Sequence, residues 1–361
     1  MISKNKVFWR FLLLGFLVGP IESCSQRPPL PHHTFSDEIR LKTTPVKNQG
    51  SSDLCWVYAL LATIETERLM VGDSVNLSPI FLARCFMEEQ AEAAFRQKKG
   101  AEAFSHRGMA TTALHLLHRH GAQPYDYYHA YQQADVKALE KRIKRLISNG
   151  LEKNIAASEF RRQLDELLDE KLGFVPQFVH MLGAEYTSAE FGRSVCLDDE
   201  YEALTSFTHH PYGERFALEV PDNQFNSTFL NVPLDTLMAH IDRALFAGHP
   251  VCWEGDISES GFSFKDGLAD VLDEAELKKQ SDNTLQTLRQ REFEHDQTTD
   301  DHTMALVGIA RDENGRRYYI AKNSQGTDNP FGGFMYLSEN YVRLKTICIV
   351  LPKAAVSPFP M

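Results

Sequence analysis

The chain has 361 residues, 43% hydrophobic and 24% charged, enough for one large globular domain or two smaller ones. Its formal net charge of −11 argues against a nucleic-acid-binding surface, because a phosphate backbone selects faces rich in Lys and Arg. Six scattered cysteines with no CxxC pair argue against a zinc site or a disulfide framework, and no metal or cofactor is expected.

From the N-terminus, Lys4, Lys6 and Arg10 lead into the apolar run Phe11–Val18, which is too short to span a bilayer. Residues 1–23 therefore read as a signal peptide, and the expected location is the bacterial cell envelope, periplasmic or lipid-anchored. Ile21-Glu22-Ser23-Cys24 resembles a lipobox, although Glu22 departs from the usual small residue. Two outcomes stay open: a lipidated Cys24 as the sole membrane attachment, or plain cleavage near Ser23. Residues 24–40, with Arg27-Pro28-Pro29-Leu30-Pro31, read as a Pro-rich tether before a folded domain spanning 41–361.

Ser52 and Asp53 supply an N-cap signal before the apolar run Cys55–Ile64, so a buried helix is expected to start near Cys55 and to leave the core at Glu65–Arg68. Leu77-Ser78-Pro79 opens a second helix, and residues 109–120 form a third. The charged, periodic stretch from about 131 to 171 lies in a helical insertion of about 125–200. Val251–Trp253, Met304–Ile309 and Tyr318–Lys322 are short β-prone runs, with a charged helical excursion over 272–296 between the first two. A helical first half packed on a β-rich second half gives an α+β fold of two lobes with a cleft between them.

The chemistry concentrates at four positions. A cysteine at a helix N-terminus meets the positive end of the macrodipole, which favours thiolate, the nucleophilic form. Six residues upstream, the amide of Gln49 can join the Cys55 backbone N–H in an oxyanion hole. His302 opens one expected strand and Asn323 ends the next, so antiparallel pairing brings them side by side. The Asn carbonyl can then orient the ring, leaving the other ring nitrogen for general acid–base work.

These blocks resemble the papain family, and within it the bleomycin hydrolase/aminopeptidase C branch, over roughly residues 40–350. The matching segments are Pro45–Gly50 through Cys55-Trp56, Leu77-Ser78 with Cys85, Gly108 ahead of Ala113-Leu114, and His302 followed by Lys322–Thr327. Val195–Leu197, Pro211-Tyr212, Asn231–Leu234 and Gly248–Trp253 look like further segments of that branch. The resemblance implies a papain-like fold with a helical lobe and a β-barrel-like lobe. It implies Cys55 as nucleophile, Gln49 in the oxyanion hole, His302 as base and acid, and Asn323 as its orienter. Gly108 would pair with the substrate backbone, and Arg107 beside it would narrow the cleft or recognise an acidic substrate.

His302 lies 247 positions after Cys55, against about 130–150 in the small papain-like enzymes, which fits the larger branch. Ser52 stands where secreted relatives have a cysteine paired with the position of Cys85, so that disulfide is not expected. Gln325 replaces a tryptophan that covers the His–Asn bond, which implies a wetter imidazole. Bleomycin hydrolases carry a longer C-terminal tail that enters the cleft, whereas here only Pro358–Met361 closes the sequence. The activity implied is therefore cysteine-type peptide hydrolysis, aminopeptidase-like through the branch. Its alternatives are an endopeptidase of the same fold and a catalytically weak, envelope-displayed peptide-binding relative. Peptides are the expected partners, and the oligomeric state is left open.

Overall fold

A computed structural model describes residues 33–129, 135–181, 183–271 and 282–356. The expected signal peptide, Cys24, the proline run and Pro358–Met361 lie outside the described residues.

The fold begins earlier than the sequence reading placed it. Strand β1 (Ser36–Arg40) pairs antiparallel with β10 (His302–Arg311), from Ser36↔Arg311 to Arg40↔Gly308 with a register shift between Asp37 and Ile39. A Cβ on Gly308 would meet the Ile39 carbonyl at 2.4 Å, so glycine there permits the approach. The tether expected through residue 40 therefore stops before Ser36, because backbone pairing, invisible to composition, claims its last residues.

Helix α1 (Cys55–Met70) is buried without interruption from Cys55 to Thr66, as a core helix apolar on all sides must be. Two details differ from expectation. The N-cap is Leu54 with no capping side chain, and Glu65 does not mark the exit to solvent but is fully buried. Helix α2 (Pro79–Arg96) starts as expected, with Ser78 Oγ accepting from Phe81 N and Pro79 in the first turn. Helix α3 is Ala110–His120.

The expected helical insertion contains two helices, α4 (Val136–Glu152) and α5 (Ala157–Leu172), broken where Asn154 takes a left-handed conformation (φ 51°). The pair docks on α2, with Phe160 stacked on Phe95 at 4.1 Å. A hairpin, β2 (Val179–Met181) and β3 (Ala184–Tyr186), and helix α6 (Ser188–Val195) complete it.

The remaining chain builds the sheet. Its strands are β4 (Tyr201–Thr205), β5 (Arg215–Ala217), β6 (Thr228–Asn231), β7 (Val251–Gly255), β8 (Phe262–Ser263), β9 (Leu268–Ala269), β10, β11 (Arg317–Lys322), β12 (Phe334–Ser338) and β13 (Thr346–Pro352). Helices α7 (Leu234–Phe246), α8 (Asp282–Glu294) and α9 (Glu339–Lys345) lie between them. The order β5-β6-β4-β13-β7-β10-β11-β12-β9-β8, with β1 added beside β10, is an open path. The expected barrel-like lobe is thus an open sheet among the described residues. The α+β class holds.

Two large apolar clusters divide the molecule. One gathers the helices around Trp56, Phe86 and Ile143, the other the sheet around Trp253, Tyr319 and Ile349. Helix α1 lies against β10 and β7 where they meet, so its N-terminus faces the head of β10 across the seam.

Candidate active site

Cys55 is the first residue of α1 and is 8% exposed. With no side chain capping this helix, its first amides carry no competing cap. The thiol is hydrogen-bonded by the Thr303 hydroxyl, the Thr303 backbone N–H and the Trp56 backbone N–H. All three favour the thiolate, yet burial outweighs them and pushes the thiol up to about 11.

His302 is the first residue of β10 and is buried. Its Nε2 lies 2.8 Å from Asn323 Oδ1, and the same oxygen accepts from Ser324 N at 2.7 Å. The Ser324 N–H identifies Oδ1 as the acceptor, so the ring proton sits on Nε2 and Nδ1 keeps its lone pair. Burial holds the imidazole below its ordinary range, opposed by Asn323 and by Asp301. Burial thus works against both charged forms, the thiolate and the imidazolium. The wetter His–Asn bond expected from Gln325 is not seen: His302 and Asn323 are each 3% exposed. Gln325 contributes a bond to Asn323 Nδ2 at 3.4 Å instead.

Gln49 is fixed from both ends. Its backbone N–H donates to Ser324 O at 2.8 Å, and its Oε1 accepts from Ser324 Oγ at 2.6 Å. Its Nε2 donates one hydrogen to Ser52 O at 2.6 Å and retains a second. Ser52, in the place of the absent cysteine, donates to Gln49 O, and Cys85 is a free buried thiol. Segment 48–52 is thus tied to the strand end that carries Asn323, so the Gln49, Cys55, His302 and Asn323 positions share one seam.

Gly108 lies against the Trp56 ring: a Cβ there would sit 3.2 Å from Cε2 and Cζ2. Trp56 Nε1 also donates to His106 O, which holds the segment 106–109 over the helix start. Arg107 is already engaged. Its guanidinium makes three contacts of 2.8–3.1 Å with the Asp222 carboxylate, so the cation expected for an acidic substrate has an internal partner.

Sequence reading missed the residues that hold this site. Glu65 accepts from Thr44 Oγ1, Lys47 Nζ and Leu77 N, and Lys322 Nζ lies 4.0 Å away while donating to Thr44 Oγ1. Burial lowers Lys322 to about 8, although Glu65 raises it. Lys47 precedes Gln49 by two positions and Lys322 precedes Asn323, so one buried carboxylate anchors both flanking segments. No local signal marks Glu65, which stands with Glu67 and Arg68 at the end of the apolar run.

A cysteine at a helix start, a strand headed by an Asn-bonded histidine and a glutamine nearby are the arrangement that the resemblance to the papain-like cysteine peptidases implies. Residues 183–358 match the Peptidase C1-like family. The fold is shared with PepW of Lactobacillus rhamnosis, at 16% identity and a TM-score of 0.67, over 89% of this chain and 83% of that one. More distant are the bromelain protease of Ananas comosus (14% identity, TM-score 0.38, 86% and 93% covered) and a structure from work on the mite allergens Blo t 1 and Der p 1 (16%, 0.43, 91% and 73%). No curated protein sequence matches the chain significantly.

Proposed function

We propose that the chain hydrolyses peptide bonds as a thiol aminopeptidase of the cell envelope, with Cys55, His302, Asn323 and Gln49 as its machinery. The 2.8 Å bond between His302 Nε2 and Asn323 Oδ1 carries this reading, because it leaves Nδ1 as the one basic nitrogen. His302 Nδ1 takes the Cys55 proton as the sulfur attacks the scissile carbonyl. The oxyanion is met by the Cys55 N–H and the second hydrogen of Gln49 Nε2. The imidazolium then protonates the leaving amine. The neutral imidazole next draws a proton from a water that attacks the thioester carbonyl, and the C–S bond breaks to release the acid and return the proton to the Cys55 sulfur.

The test is hydrolysis of free and N-blocked peptides of one sequence, with Cys55→Ala as control. Loss of turnover in the alanine variant and preference for the free amine are expected. Unchanged turnover in Cys55→Ala would sink the peptidase reading, and equal rates on blocked peptides would favour an endopeptidase. A second reading has its own observation. The thiol pushed up to about 11 and bonded to Thr303 fits a catalytically weak relative that binds peptides. Such a protein would bind them without measurable turnover.

A further inference from the structure

Segment 220–226 crosses the seam beside Gly108. On the helical side, Gln224 Nε2 donates to Arg107 O at 3.2 Å, and Asp222 holds the Arg107 guanidinium. Phe225 packs against the His115 ring at 5.0 Å and the Phe86 ring at 6.4 Å. On the sheet side, Asp222 N donates to Asp300 Oδ2 at 3.4 Å, two residues before His302. The segment is internally braced, since Asn223 Nδ2 bonds Leu218 O and Ser227 O, and its Oδ1 accepts from Ser227 N. A carbonyl that an extended substrate would use, that of Arg107, is thus occupied by the protein itself.

Behind this crossing lie three buried carboxyls, two of which form no ion pair among the described residues. Asp222, 6% exposed, is spent on Arg107. Asp300 is 8% exposed, and among the described residues no ion pair reaches it. Glu254 is 1% exposed on β7, opposite Thr303 of β10, and its Oε2 accepts from Ala110 N at 3.2 Å. Its Oε1 is buried with no hydrogen-bond partner. The other charged or titratable groups facing this space are Arg107, Asp53, Cys55, Cys252 and Cys348, and among the described residues the Cys348 thiol is the one side chain within hydrogen-bonding reach of the Glu254 carboxyl. A buried carboxylate oxygen that meets no better donor than a weak thiol is costly in a dry site, and a substrate ammonium is a group that satisfies it.

We propose that segment 220–226 is a strap that closes one end of the substrate cleft, and that Asp300 and Glu254 behind it receive the α-ammonium of the peptide's N-terminus. This rests on the aminopeptidase reading and supplies its restriction from an internal segment. Burial and the neighbouring Asp300 hold Glu254 well above the ordinary carboxylate range, a direction that an adjacent ammonium would oppose.

The experiment measures binding separately from turnover. In full-length Cys55→Ala, calorimetry compares a tetrapeptide with its N-acetyl counterpart, and with an acetylated version carrying lysine at its first or second position. The free amine is expected to bind at least about tenfold more tightly than the acetyl peptide. Adding Asp300→Asn or Glu254→Gln should reduce that ratio to below about threefold. Glu254→Gln copies the protonated acid in shape, and should it nonetheless melt early, Asp300→Asn reads the same ratio. Equal binding of free and acetyl peptides, or a ratio unmoved by both substitutions, overturns the proposal. Restoration of binding by the lysine side chain alone overturns the assignment to the α-amine. With Cys55 intact, Gln224→Gly should raise the rate on N-blocked peptides relative to free ones. Wild-type turnover that ignores blocking defeats the aminopeptidase reading itself. A preference for the free amine that survives the acid variants defeats only the strap site.

Discussion

Asn323 Oδ1 accepts two hydrogens at once, from His302 Nε2 at 2.8 Å and from Ser324 N at 2.7 Å. The second bond fixes the first: it identifies the amide oxygen and so determines the tautomer of the ring. Asn323→Ala should remove about 1.5–3 kcal/mol of positioning, or about 10- to 100-fold in kcat/KM, with KM little changed. Asn323→Gln should not restore it, since the longer side chain displaces the oxygen. Full activity in the alanine variant would show that the ring is held by packing alone.

The thiol pushed up to about 11 makes a second prediction. If the structure is the resting state, alkylation of Cys55 by iodoacetamide should accelerate about tenfold per pH unit from pH 7 to 9. A thiolate–imidazolium pair would instead give a rate nearly flat above about pH 4, as in papain. Thr303→Ala bears on the same point. It deletes the hydroxyl that bonds the sulfur and should release the thiol toward His302. A flat profile in the wild type would mean that the Thr303 contact is not the populated arrangement.

The catalytic blocks were legible because each is local: Cys55 opens an apolar helix, Ser78-Pro79 opens another, and His302 and Asn323 sit at the ends of adjacent β-prone runs. What escaped is non-local. Arg107 and Asp222 are 115 positions apart, and no periodicity relates them. Strand β1 carries no strong apolar pattern and is a strand only because β10 offers it an edge. Glu254 follows the apolar run Val251–Trp253, where an acid reads as the end of a strand until its partner Thr303 shows it to be inside. The break between α4 and α5 rests on one left-handed Asn154 in a sequence otherwise helical throughout.

Stability should fall on the alkaline side. The five cysteines among the described residues are free and buried, with Cys55 pushed up to about 11, Cys196 to about 12, and Cys85, Cys252 and Cys348 also raised. Unfolded thiols lose their protons near about 8.5 while these keep theirs, so the native state binds more protons and loses stability as pH rises. The loss is up to about 1.4 kcal/mol per pH unit for each thiol. Lys322, lowered to about 8, works in the opposite sense between about 8 and 10, but it is one group against five. His302, also lowered, adds a loss on the acid side below about 6.5. Thermal melts at pH 7.5 and 9.5 should therefore differ by several degrees, and an unchanged Tm would refute the burial argument.

Glu65 is the residue whose removal should cost the fold most for its size. It is fully buried and receives Thr44, Lys47 and the Leu77 amide, with Lys322 at 4.0 Å. Glu65→Ala would leave Lys47 and the buried Lys322 without their counter-charge, a loss of about 3–5 kcal/mol for breaking a buried pair from one side. Glu65→Gln keeps the hydrogen bonds and removes only the charge, so its cost should be smaller. The double variant Glu65→Leu/Lys322→Met removes one charge of each sign and should recover part of the loss. Because Lys47 and Lys322 flank Gln49 and Asn323, Glu65→Ala should also lower kcat at temperatures where the protein remains folded. Urea midpoints for the three variants, with activity measured well below each transition, separate the two effects. If Glu65→Ala loses stability but its folded fraction retains full kcat, the network holds the fold without positioning the site.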